Sequence, residues 1–145
     1  DDIRPITVGK TLCRLIQVKC LCSILRDKFS SFFQPSHFGV ACKAGTEKVI
    51  HRLRKCLEDS WESEDFVAFK VDMSNAFNRV SRQAVLDECA FFFPELLPWV
   101  SWCYGSHTIL WHPKGKISSQ SGVQQGDPLG PMLFALVLRK LVSTI

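Results

Sequence analysis

SGVQQGDPLGPMLFALVLRKL, residues 121–141, packs three Gly and two Pro into its first eleven positions and then runs through seven apolar residues in succession. Gly and Pro at that density interrupt regular structure, while Pro131 suits the first turn of a helix, where its missing N–H has no partner to lose. The stretch therefore predicts an extended, turn-rich loop delivering the chain into a helix that begins at MLFALVLRKL. Gly122, Gly126 and Gly130 permit close backbone approach to a ligand, and Gln125 offers both a donor and an acceptor. On its own, the pattern reads as an ordinary loop leading into a helix.

Working back from this loop, Thr108–Trp111 and Ile117–Gln120 flank a His112-Pro113-Lys114-Gly115 turn, which predicts a β-hairpin. FFFPELLPWVSWC, broken by Pro94 and Pro98, reads as a short connector and one further helix with core aromatics. Ser81 caps a helix through about Cys89. FVAFKV (Phe66–Val71), nearly continuous in Phe and Val, has the pattern of a strand buried on both faces. Thr46 caps a helix through about Asp59, with Val49, Ile50, Leu53 and Leu57 on one face and His51 at its edge. Upstream, Leu12, Leu15, Ile16, Val18, Leu21, Leu25, Phe29 and Phe32 approximate helical spacing over a long amphipathic helix ending near Pro35. A short extended Ile3–Val8 precedes it. Strands and helices interspersed in this way give an α+β or α/β class, with α+β the working assignment.

A chain of 145 residues with 46% hydrophobic and 22% charged residues has the balance of one globular domain. Its net charge of +4 is uneven: residues 1–56 carry eleven Lys/Arg against four Asp/Glu, and residues 57–145 carry seven against ten. The basic half can face a polyanion, or simply be a set of solvated helix faces. Seven Cys, none in paired C-x-x-C units, read as free, reduced core thiols. That usage, with no basic-then-apolar leader and no uninterrupted apolar run of membrane length, points to an intracellular protein of the nucleus or cytoplasm with no membrane partner.

Chemistry enters at Asp72. A carboxylate ending a buried strand is a rigid oxygen ligand for a hard cation such as Mg²⁺, although a lone strand-end Asp equally caps the turn that follows. At the other end of the chain, Arg4 in IRPI could grip a phosphate through its planar fork; a lone Arg-Pro is uninformative.

In combination and in order, four segments resemble the reverse transcriptase family: IRPITVGKTLCRL its R-P-I fingers motif, HFGVACKAGTEKVIHRLR the segment that follows, FVAFKVDMSNAFN its first palm motif, and SGVQQGDPLGPMLFALVL its Q-G-D-P-L-G-P loop and helix. The wording is closest to reverse transcriptases of non-LTR retrotransposons. The resemblance implies the fingers and a partial palm of a right-hand polymerase, about 1–60 fingers and about 61–145 palm. It implies Asp72 as a ligand to both catalytic Mg²⁺ ions, with the Met73 carbonyl as a further ligand. Phe77 would lie under the incoming sugar and exclude a 2′-hydroxyl, Arg4 would contact the triphosphate, and Gln125 with Gly126 would line the pocket of nucleotide and template. Asp127 would serve local hydrogen bonding in its loop. RNA template, DNA primer and deoxynucleoside triphosphates are the implied partners.

Two metals can activate a primer 3′-hydroxyl and stabilise departing pyrophosphate only when several carboxylates neutralise them. The family supplies the rest from a downstream Y-x-D-D hairpin, and no D-D pair follows Gln125 here. Both ends also read as cut, so the expectation is a fragment ending before that hairpin and the thumb, inactive alone and leaving the helix after Pro131 without cover. The alternative is a non-catalytic nucleic-acid-binding remnant of a retroelement.

Overall fold

The computed structural model describes residues 9–61, 67 and 69–142. The N-terminal helical run consists of α1 (Thr11–Leu15), a wide π-helical stretch (Ile16–Cys22) and α2 (Arg26–Phe33). After it come α3 (Gly45–Asp59), the single-turn α4 (Ala76–Arg79), α5 (Arg82–Phe92), a 3₁₀ turn (Pro94–Leu96) and α6 (Leu97–Tyr104). Strands β1 (Thr108–His112) and β2 (Gly115–Ser119) pair antiparallel, and α7 (Gly130–Val142) follows the glycine-rich loop. Among the described residues, helices with one small two-stranded sheet are consistent with the α+β class.

One core joins α2, α5, the 3₁₀ turn, α6 and α7. Phe29 and Phe33 of α2, Val85 and Cys89 of α5, Val100 and Tyr104 of α6, and Leu133 and Leu136 of α7 are all buried, with Phe93 at the junction of α5 and the 3₁₀ turn. Phe93 takes Phe29 and Phe32 edge-on, at centroid distances of 5.2 and 5.0 Å, an arrangement that suits the ring quadrupoles. Arg139 of α7 caps this aromatic group, its guanidinium 4.4 Å from the Phe32 ring centre. The helix after Pro131 is therefore covered: Met132, Leu133, Ala135 and Leu136 are buried in the core that α7 shares with α2, α5 and α6, contrary to the expectation that it lacks cover.

Local chemistry explains several boundaries. The Ser81 hydroxyl accepts from the Ala84 N–H at 3.3 Å, the cap read from the sequence, and α5 runs three residues beyond Cys89. In the hairpin, Trp111 pairs with Lys116 and His112 with Gly115, leaving a two-residue turn at Pro113 and Lys114.

Other expectations are corrected. Thr46 is inside α3 rather than its cap: the chain turns at Ala44, whose φ of 53° is left-handed, and enters the helix at Gly45. A side chain at Gly45 would put its Cβ 2.1 Å from the Phe38 carbonyl oxygen, so only glycine fits there. No strand forms among the described residues of 66–71, and Phe69 and Val71 are 88% and 77% exposed. A strand needs a neighbouring ladder, and the described residues hold only the β1–β2 pair. In the N-terminal run Gln17 is buried while Leu12, Leu15 and Val18 are exposed. The π-helical turns there shift the phase of the helix away from the 3.6-residue spacing that placed Val18 inward. The apolar face of α3 is also open to solvent, Val49, Ile50, Leu53 and Leu57 being 39–49% exposed. Of seven free cysteines only Cys89 is buried, and Phe91 and Trp102 are surface aromatics, so neither group is uniformly core.

Candidate active site

Asp72 is exposed, in an irregular segment that leads through a turn at Ser74 and Asn75 into α4. Asn75 adopts φ 53°, a left-handed conformation that Asn tolerates better than most residues. Asp72 and Met73 line a cleft of about 330 Å³ together with Phe77, Gln125, and Phe134 and Leu138 of α7. Asp72, Met73, Phe77 and Gln125, singled out from the sequence, are thus brought together. Arg4 lies outside the described residues.

The glycine-rich loop is locked against the Asp72 segment. Val123 donates its N–H to the Phe77 carbonyl at 2.8 Å and Gly122 donates to that of Val80 at 3.0 Å. The Ser121 hydroxyl reaches the Asn78 carbonyl at 3.2 Å. Gly122 is obligatory at this crossing: its φ is +71° and a Cβ would stand 2.4 Å from the Asn78 carbonyl carbon. The glycine expected to admit a ligand instead admits the neighbouring backbone.

Arg82 fastens the same crossing from below. Its Nε donates to the Gly122 carbonyl at 2.9 Å, Nη1 to the Ser119 carbonyl at 2.9 Å and Nη2 to the Ser119 hydroxyl at 2.7 Å. The guanidinium also lies 5.4 Å from the centre of the Tyr104 ring, and burial holds its pKa below the usual arginine range. Nothing in the motif marks Arg82. The available signal is its place at the first position of α5, where the helix dipole disfavours a cation, so the residue must answer to something beyond its own helix.

Asp127 reaches further than its own loop. It accepts from the Leu129 N–H at 2.9 Å, as a loop residue would, but also from Gln17 Nε2 at 2.8 Å and from the Tyr104 hydroxyl. The Tyr104 oxygen in turn accepts the Gln124 N–H at 3.3 Å. Burial, then the Asp127 charge and its hydrogen bond, drive the Tyr104 pKa far above the ordinary tyrosine value. Gly126 sits on this side of the loop, lining a cavity of about 250 Å³ with Lys10, Arg14, Gln17, Tyr104 and Asp127. Gln125 and Gly126, expected to share one pocket, thus face different hollows, because the backbone turns at Gly126 with φ +100°.

A family model described as reverse transcriptase (RNA-dependent DNA polymerase) matches residues 1–145. The chain belongs to the reverse transcriptase family. No curated protein and no solved structure matches it. Reverse transcriptases work on a nucleic-acid template and nucleotide substrates, and members of the family generally use divalent metal ions. Among the described residues no helix is long and apolar enough to cross a membrane. Nor do they hold a cluster of three or more His, Cys, Asp or Glu suited to a metal. Asp72 and the Met73 carbonyl are oxygen donors of the kind Mg²⁺ selects, and two such donors do not complete a ligand set.

Proposed function

We propose that this chain carries the nucleotide-binding half of an RNA-directed DNA polymerase site, with Asp72 as its metal-binding carboxylate. The observation that carries this reading is the shared cleft: one carboxylate and a half-buried aromatic ring from one segment meet a Gln amide that lies 48 positions after the ring. In this reading Asp72 and the Met73 carbonyl bind Mg²⁺ and orient a triphosphate. The Phe77 ring fills the volume a ribose 2′-hydroxyl would need, so the cleft accepts deoxynucleotides. The Gln125 amide hydrogen-bonds the incoming nucleotide, Gly126 borders the template, and Arg4 binds the triphosphate. Bound metal would supply charge neutralisation for nucleotidyl transfer, with further carboxylates contributed by a Y-x-D-D hairpin. Residues of about 1–60 act as fingers and about 61–145 as palm. The R-P-I and Q-G-D-P-L-G-P wording supports a non-LTR retrotransposon enzyme.

A Mn²⁺ titration followed by NMR tests the metal assignment without requiring catalysis. Paramagnetic broadening should centre on Asp72, Met73 and Ala76, and Asp72→Asn should abolish it there. Broadening confined to the acidic end of α3, at Glu58 and Asp59, would refute the assignment.

A further inference from the structure

The hairpin carries a surface that the Asp72 site does not use. In the β1–β2 register Trp111 stands opposite Lys116 and Ile109 opposite Ser118, so these four share one face of the ribbon. That face is open: Trp111 is 78% exposed and Ile109 59%, whereas Thr108, Leu110 and Ser119 on the other side are partly covered. Lys116 holds its ammonium 4.5 Å from the centre of the Trp111 ring, and Lys114 is in the adjoining turn. No acidic residue occurs between Glu95 and Asp127, while the same stretch contributes Lys114, Lys116, His107 and His112. A large, flat ring left in water beside two cations, in a stretch free of carboxylates, has the charge and shape to meet a polyanion that carries its own flat apolar groups.

We infer that the Trp111–Lys116 face of the hairpin is a stacking platform for single-stranded nucleic acid. An unpaired base lies on the indole, and Lys114 and Lys116 hold the phosphates on either side. Stacking on an aromatic ring is tolerant of sequence because every base has a π-face, and the lysines add a salt-dependent attraction to the backbone. A duplex hides its bases and offers the lysines phosphate alone, so the surface distinguishes the two forms through Trp111. The inference involves neither Asp72 nor Phe77 and stands apart from the proposed polymerase site.

Fluorescence anisotropy of a labelled oligo(dT) strand with the 145-residue chain tests it, without metal or nucleotide, so failure would leave the Asp72 assignment untouched. Trp111→Ala should weaken single-strand binding about 5- to 150-fold, the range alanine substitution gives for one stacked base, and Trp111→Phe should restore most of it. Replacing Lys114 and Lys116 together with Gln should flatten the salt dependence. Blunt duplex should bind equally to the parent and to Trp111→Ala. The indole lies outside the core, and unchanged thermal unfolding of the variants shows that the loss is local. Unaltered single-strand affinity in Trp111→Ala would overturn the inference. So would an equal loss for duplex, or a Trp111 effect confined to phosphatidylserine vesicles.

Discussion

Phe77 stacks on Phe134 with ring centroids 4.9 Å apart and an interplanar angle of 24°, so the aromatic wall of the Asp72 cleft is set by α7. Phe77 is half-buried and faces two ways, toward the core and toward the cleft. Phe77→Ala should therefore cost about 2 kcal/mol in urea unfolding, less than the roughly 3–5 kcal/mol typical of a fully buried Phe. In a catalytically complete enzyme bearing this cleft, Phe77→Val should raise the use of GTP relative to dGTP, measured as a ratio of kcat/KM. Loss of folded enzyme cancels from that ratio. An unchanged ratio in a folded variant assigns Phe77 to the core alone.

Arg82 ties β2 and the glycine-rich loop to α5 through the Ser119 and Gly122 carbonyls. Arg82→Ala strands these acceptors in a buried setting and should lower stability by about 2–4 kcal/mol. Arg82→Lys should recover only part, because an ammonium cannot reproduce three donors fanned in one plane. Chemical unfolding of the two variants measures both effects. Equal stability of parent and Arg82→Ala would show that the crossing holds without the guanidinium.

Tyr104 is the chain's single tyrosine, so tyrosinate absorbance reads it alone. With its folded pKa raised above the unfolded value, first by burial and then by Asp127, its contribution to stability is complete below the ordinary tyrosine pKa of about 10. Above that pH the unfolded state releases the proton and the folded state keeps it, so stability falls as pH rises. A spectrophotometric titration should show no tyrosinate at the ordinary midpoint while the protein is folded, and Asp127→Asn should bring the midpoint down. Ordinary titration in the folded chain would contradict the Tyr104–Asp127 contact.

Local chemistry was readable from the sequence where it acts over a few residues. The Ser81 cap, the hairpin around Pro113 and Lys114, and the loop that enters α7 at Pro131 follow from turn and capping preferences. So did the residues gathered at the cleft, through the order of the motifs. What escaped depends on distant partners. Gln17 and Asp127 are 110 positions apart, and Arg82 meets Ser119 across 37. No periodicity encodes such pairs. The described residues of the apolar run at 66–71 form no strand for a related reason: composition favours one, but strand formation is decided by a neighbour.

If Asp72 is the carboxylate on which polymerisation depends, primer extension on poly(rA)·oligo(dT) responds to its loss. The 145-residue chain alone, offering Asp72 without a following D-D pair, should incorporate no dTTP above background. Joined in frame to a Y-x-D-D hairpin and thumb of the same family, it should extend the primer, and Asp72→Asn in that enzyme should reduce incorporation to background. An Asp72→Asn enzyme that extends the primer as fast as its parent would show that polymerisation does not depend on this carboxylate.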